Sequence, residues 1–169
     1  MKIAQPIKRH PSLVSFSKDH HFGLLLVWKI RQGITKGIEP ARIASYVRYS
    51  FDEDLRIHFN EEEQVMFNKL PTEDPLRRQA EKEHAQIYEL VRKIREDNDD
   101  QDLLVKLSNT LEAHIRFEER VLFNHLQKTL PEADLATIAT YEGTGSGDID
   151  ARWPDLFWLN KNQGEPRNK

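Results

Sequence analysis

The sequence predicts an all-α protein, an antiparallel up-down-up-down four-helix bundle with a short fifth helix and an irregular C-terminal tail. Three observations carry that prediction. Apolar residues recur at helical spacing through four long segments, and Gly and Pro fall mainly at the segment ends. Charged residues make up 31% of the 169 and hydrophobic ones 38%, the balance of helices with a narrow apolar stripe and a solvated back. The chain also repeats itself: Leu55, His58, Glu62, Glu63, Val65, Phe67, Asn68 and Leu70 return as Leu111, His114, Glu118, Glu119, Val121, Phe123, Asn124 and Leu126 at one constant offset. A weaker repeat matches Asp19, His20, Leu26, Val27, Lys29, Ile30 and Arg31 to Glu83, His84, Leu90, Val91, Lys93, Ile94 and Arg95.

The first helix begins near Ser12 or Ser15 and runs to about Lys36, with Leu13, Phe16, His20, Leu24, Val27, Ile30 and Ile34 in register and Gly33 and Gly37 marking its end. The second opens at Glu39-Pro40, because proline suits a first turn whose N–H groups have no helical partner. Its inner stripe is Ile43, Val47, Phe51, Leu55, His58, Glu62, Val65 and Met66, and Pro71 stops it. Thr72 offers a cap to the third helix, where Glu73 and Asp74 complement the positive end of the dipole. That helix carries Leu76, Ala80, His84, Ile87, Val91 and Ile94 to about Arg95. The acidic stretch 96–100 forms a loop whose Asp and Asn residues cap the fourth helix, which runs through Leu104, Leu107, Leu111, His114, Glu118, Val121, Leu122 and His125 to about Thr129. Pro131 opens a short helix to about Tyr141 with Leu135 and Ile138 on its inner face. Residues 1–141 thus form the bundle and its short helix. Residues 142–169 form a Gly/Ser linker followed by a tail whose aromatic run, Trp153 to Leu159, is expected to dock on the bundle or on a neighbouring subunit.

Composition excludes several classes of function. A net charge of −3 leaves no basic face for a phosphate backbone, so nucleic acid is not an expected partner. No cysteine is present, which removes disulfides, thiolate chemistry and cysteine-bound metal. The first ten residues contain no apolar core of a signal peptide, and the longest apolar run, Leu24 to Trp28, falls far below the ~20 residues that span a bilayer. A cytoplasmic protein with no membrane partner is expected.

The order along the chain is His20, His58-x-x-x-Glu62, His84, His114-x-x-x-Glu118, one element per helix. Residues four apart share a helix face, so each His-Glu pair points toward one site. Imidazole and carboxylate together suit divalent first-row metals, and a carboxylate can bridge two ions. Two carboxylates on apolar stripes would cost several kcal/mol each if left uncompensated, and no lysine or arginine occupies the same mid-helix stripe. A lone histidine on an apolar face is ordinarily a core residue, but four at matching depth argue for ligands. His21 aligns with Ala85 and falls toward a flank, while His10 and His125 read as surface residues. Glu61, Glu63 and Glu119 read as solvated or as supporting neighbours, with Glu61 the best rival to Glu62 as a ligand. Tyr88, one turn after His84, reads as core packing or as a group at the metal.

In the segments Asp19-His20-His21, His58 to Glu62, Glu83-His84 and His114 to Glu119, the chain resembles the hemerythrin-like, or HHE cation-binding, domain family over roughly Leu13 to Leu130. The resemblance implies a four-helix bundle with a non-haem di-iron centre. It implies His20, His58, His84 and His114 as terminal ligands and Glu62 and Glu118 as bridges between two iron ions, with an oxo bridge as one form of the pair. The donor set would also accept manganese or zinc. The oxygen carriers of the family have a further histidine where this chain has Tyr88, so reversible oxygen storage is not expected. The resemblance implies instead binding of, or reaction with, oxygen, nitric oxide or peroxide in sensing or stress protection. Iron donation to damaged iron–sulfur clusters, peroxide reduction, and an iron-responsive module that docks a protein partner or a second copy through its aromatic tail are the alternatives. The family's repair proteins carry a cysteine-bearing N-terminal domain, which these residues lack.

Overall fold

The computed structural model describes residues 8–145 and 149–159, and these are helical with no strand among them. The chain enters through a short 3-10 turn, Pro11–Leu13, whose cap is His10: its imidazole accepts the Ser12 N–H at 3.2 Å. Helix α1 then spans Val14–Thr35. Gly33 lies inside its last turn rather than at its stop, and Ile43 and Phe157 pack where a Cβ would sit. Gly37, with φ +67, makes the turn that follows, and its N–H and that of Ile38 bond back to the carbonyls of Ile34 and Gly33.

Helix α2 covers residues 40–69 and begins on Pro40. Helix α3 spans Pro75–Glu96. Its cap is Asp74, which accepts from the N–H groups of Leu76 and Arg77, while the expected Thr72 turns to Glu73. Pro75 fixes this outcome by occupying the first helical position, which makes its predecessor the cap. Helix α4 covers residues 101–129, capped by Asp100 as the acidic loop predicts, and α5 is Glu132–Ile138. Among the described residues no helix is long and apolar enough to cross a membrane.

Helices α2 and α4 are not uniformly wound. In α2 the N–H of Arg56 bonds to the carbonyl of Phe51 and that of Phe67 to Glu62; in α4 Phe123 N–H bonds to Glu118. Each five-residue step inserts one residue relative to an α-turn, so the inner stripe slips by one beyond it. That slip corrects the predicted register. Val121 is 43% exposed, Phe123 and Leu126 are buried, and in α2 Phe67 rather than Val65 fills the core.

Contacts pair rising numbers on one helix with falling numbers on its neighbour. His20 and Arg31 of α1 meet Glu119 and Glu112 of α4, Asp19 and Lys29 meet His58 and Tyr46 of α2, and His84 and Arg95 of α3 meet Glu63 and Asp52 of α2. The apolar core falls into two clusters. One gathers Leu26, Ile30, Val47, Phe59, Ile87, Val91, Leu107 and Leu111; the other gathers Leu13, Phe16, Met66, Phe67, Ala80, Leu122 and Leu126. On every long helix the singled-out histidine lies between them.

The segment after residue 149 packs on the first cluster. Ile149, Phe157 and Trp158 are buried, and Trp158 covers a lysine that the sequence stripe did not suggest: Lys29 is buried, donates to Tyr46 and Asp150, and lies 4.4 Å from the Trp158 ring centre. Of the Gly/Ser linker, residues 146–148 lie outside the described residues. Thr144 before them donates to Asp54 at 2.8 Å.

Candidate metal centre

Six side chains converge between the two core clusters. His20, His58, Glu62 and Glu118 form one group of possible ligand atoms within 4.8 Å of one another, and Glu62, His84, His114 and Glu118 form a second. Both carboxylates belong to both groups. Glu62 Oε1 lies 2.7 Å from His58 Nε2 and 3.3 Å from His20 Nε2, while its Oε2 lies 3.2 Å from His84 Nε2. Glu118 mirrors it, with Oε2 at 2.8 Å from His20 Nε2 and Oε1 at 3.3 Å from His114 Nε2. Helical winding explains the convergence: His58 with Glu62 and His114 with Glu118 stand one turn apart on a shared face.

The environment of these groups calls for positive charge. Glu62 and Glu118 are 0% exposed, and two carboxylates so close in a core repel one another. Burial pushes the Glu62 carboxyl upward, but the charge of His58 and the close approach of the His20, His58 and His84 imidazoles hold it well below the usual range. Glu118 is likewise lowered, although burial and the Glu62 charge both oppose it and His114 and His20 must outweigh them. The imidazoles respond in kind. Burial alone would lower His58 and His114, yet the adjoining carboxylates lift them to about 9 and about 10. A cation must balance this cage, and imidazolium protons or a metal pair can supply it.

The donor atoms fit a metal pair better than they fit each other. The inward Nε2 atoms of His58, His84 and His114, with Glu62 Oε2 and Glu118 Oε1, are buried without a hydrogen bond of acceptable geometry. Native proteins rarely bury polar atoms that way unless something else satisfies them. Nitrogen and carboxylate oxygen donors at matched depth are what a divalent first-row cation takes.

Each imidazole is also oriented from behind. Glu119 accepts from His20 Nδ1 at 2.8 Å, Asp19 from His58 Nδ1 at 3.2 Å, Glu63 from His84 Nδ1 at 2.7 Å and Glu83 from His114 Nδ1 at 3.0 Å. A proton held on Nδ1 leaves Nε2 as the inward donor, the arrangement common to metal-ligating histidines. The sequence leaves Glu63 and Glu119 as either solvated or supporting neighbours, and the structure places them in the supporting role; Asp19 and Glu83 carry no such expectation, although the weaker repeat aligns them. The aromatic walls were missed too: Phe59 stacks on His84 at 3.9 Å between ring centres, and Phe123 stacks on His20 at 5.3 Å.

The remaining candidates lie apart. Glu61 stands outside the cage while Glu62 is at its centre, and His21 is exposed. His125 pairs with Asp74, binding the end of α4 to the cap of α3. Tyr88 is half-buried and packs edge-on against Phe51 at 5.3 Å, at the margin of the first core cluster.

The family model of the hemerythrin HHE cation-binding domain matches residues 17–126, the span that holds all six converging side chains. Comparisons with curated proteins and with solved structures returned no match. With the match covering well over half of its length and a buried His/Glu cage inside it, the chain belongs to the hemerythrin family of HHE cation-binding domains.

Proposed function

We propose that this is a cytoplasmic, non-haem di-iron protein in which four long helices alternate up and down around the metals. His20, His58, His84 and His114 are the terminal ligands, and Glu62 and Glu118 are the bridges. The centre binds or reacts with a small ligand such as oxygen, nitric oxide or peroxide, in sensing or stress protection. The observation that carries this reading is the sharing of both carboxylates: Glu62 turns Oε1 to His20 and His58 and Oε2 to His84, while Glu118 turns Oε2 to His20 and Oε1 to His114 and His84. A carboxylate so placed serves two cations at once. The falling-number contacts between neighbouring helices support the alternating topology. A divalent first-row metal is supported by the mixed nitrogen and oxygen donor set, and iron by the family resemblance.

Six protein donors leave open coordination positions on two metals, and a bound iron pair supplies there a redox-active Lewis acid for a small ligand. The chain's own contribution is to hold each Nε2 inward through its Nδ1 bond and to wall the site with Phe16, Phe59, Phe67 and Phe123. Those rings sit in the two core clusters on either side.

Elemental analysis of the purified protein, joined to its visible spectrum before and after anaerobic reduction and exposure to oxygen or nitric oxide, tests this reading. We expect two irons per chain and a spectrum that changes on exposure. Full iron loading with an unresponsive spectrum would refute the ligand reaction, and a chain that takes up no metal would refute the centre itself.

A further inference from the structure

The internal repeat makes the two halves of the cage equal in sequence, but the structure surrounds them unequally. We infer that the two cation positions differ in permanence: the one at His20 and His58 is held, and the one at His84 and His114 exchanges. This rests on reading the six side chains as a two-cation cage.

Chain outside the four long helices braces the outer carboxylates of the first position. Asp19, behind His58, has a side chain only 6% exposed. The oxygen that faces His58, Oδ2, also accepts the Tyr141 hydroxyl at 2.5 Å. Tyr141 is itself fixed, its ring stacked on Phe16 at 4.1 Å. Gly143, at φ +100, lets the backbone come so close that a Cβ there would stand 3.3 Å from Asp19 Oδ1. Glu119, behind His20, is tied to the other end of the chain. Arg9 donates to its backbone carbonyl at 2.6 Å and to Oε2 at 3.1 Å, and the guanidinium lies over Phe123, the ring stacked on His20.

Among the described residues the second position has no such bracing. Among the described residues Glu63 hydrogen-bonds only to His84, and its side chain is 38% exposed. Glu83 is 20% exposed and receives, besides His114, a 3.4 Å bond from Gln79 of its own helix. A cation leaves its cage one ligand at a time, and an imidazole can swing away only if its Nδ1 bond yields. Where the carboxylate is buried and takes a second bond, as Asp19 does from Tyr141, or is pinned by a guanidinium, as Glu119 is by Arg9 although 30% exposed, the swing is opposed. Where no partner from outside the four long helices holds it among the described residues, as at Glu63 and Glu83, water replaces the bond as it breaks. Release therefore begins at His84 and His114.

The test uses the full chain, loaded anaerobically with ferrous iron and mixed with an excess of a chromogenic ferrous chelator. We expect two release phases of equal amplitude, at rates about 10-fold or more apart, the lower end of what an outer partner of a metal ligand contributes. Tyr141→Phe keeps the ring stack and removes only the bond to Asp19, so it should quicken the slow phase about 10-fold and leave the fast phase as it was. A structural role for the hydroxyl would instead shift both. His84→Ala should load one ion that leaves slowly, and His20→Ala one ion that leaves fast. Two ions leaving at a single rate, or a Tyr141→Phe protein that changes the fast phase, would overturn the inequality and leave the two-cation cage standing. A chain that binds no iron would overturn both.

Discussion

Replacing Glu62 with glutamine keeps the shape of the side chain and removes its charge from a point shared by both halves of the cage. Its two oxygens face different imidazoles, Oε1 toward His20 and His58 and Oε2 toward His84, so on the proposed two-cation reading one substitution should weaken both positions. A ligand at about 100 times its Kd stabilises the folded state by about 2.7 kcal/mol. For a chain of 169 residues that corresponds to a rise in Tm of about 5–11 °C per position. Losing a bridging charge should cost at least the ~100-fold that an outer partner can cost, which reduces the gain to about 0.4 kcal/mol. The assay is thermal melting followed by circular dichroism, with each variant compared with itself in the presence and absence of metal. That comparison cancels any change in the metal-free protein. The metal-induced rise should nearly vanish in Glu62→Gln, whereas His84→Ala, which touches one position, should keep about half of it. A Glu62→Gln protein that shows the full rise would refute the bridge.

Two further outcomes follow from charge and packing. In the metal-free protein His58 and His114 are raised to about 9 and about 10 from an ordinary 6.5, so their contribution to stability is complete below about 6.5 and disappears as pH climbs through 9 to 10. Glu62 and Glu118 are lowered, so theirs is complete above about 4.5 and is lost as pH falls toward their folded values. Denaturant midpoints of the metal-free protein should therefore peak between about pH 4.5 and 6.5, and a midpoint that rises from pH 6.5 to 9 would contradict the assignment. Gly33→Ala improves helix propensity by up to ~1 kcal/mol but sets a Cβ 2.7 Å from Ile43 Cδ1 and 2.9 Å from Phe157 Cε2. Overpacking costs about 1–3 kcal/mol, so urea unfolding should show a net loss, and the fluorescence of the neighbouring Trp158 should shift. Unchanged or higher stability would show that the tail yields freely.

The cage was legible because its residues are few, chemically distinctive and repeated at one offset: His58 and Glu62 announce His114 and Glu118. The carboxylates behind the imidazoles were half legible. Asp19 and Glu83 stand beside histidines in both copies of the weaker repeat, yet on a helix an acidic residue next to an inward one ordinarily faces solvent. Only the position of the next helix turns it to account. The register beyond the cage was not legible, since a stripe read at 3.6 residues per turn cannot foresee the extra residue that a five-residue turn inserts, and Val121 was assigned inward for that reason. The tail's aromatic content signalled docking. Its seat did not follow from the sequence, because Tyr46 and Asp150 meet across 104 residues with no periodic pattern between them.

The supporting carboxylates form a closed circuit, and its direction explains why the cage and the bundle must form together. Asp19 of α1 orients His58 of α2, Glu63 of α2 orients His84 of α3, Glu83 of α3 orients His114 of α4, and Glu119 of α4 orients His20 of α1. No helix orients its own imidazole. Two helices packed alone would present at most one correctly held histidine, too few donors for a tight metal site. Opening any one helix removes that helix's ligand and releases the histidine on the next, so the loss of donors is doubled. The turns at Glu62 and Glu118 serve the same joint requirement. These two five-residue steps begin at the cage carboxylates and shift the stripe beyond them, so that the cage face and the second apolar cluster can both point inward on one continuous helix. On the proposed reading, metal affinity is thus a property of all four helices at once, and any substitution that loosens one helix end should be read first as a change in donor orientation.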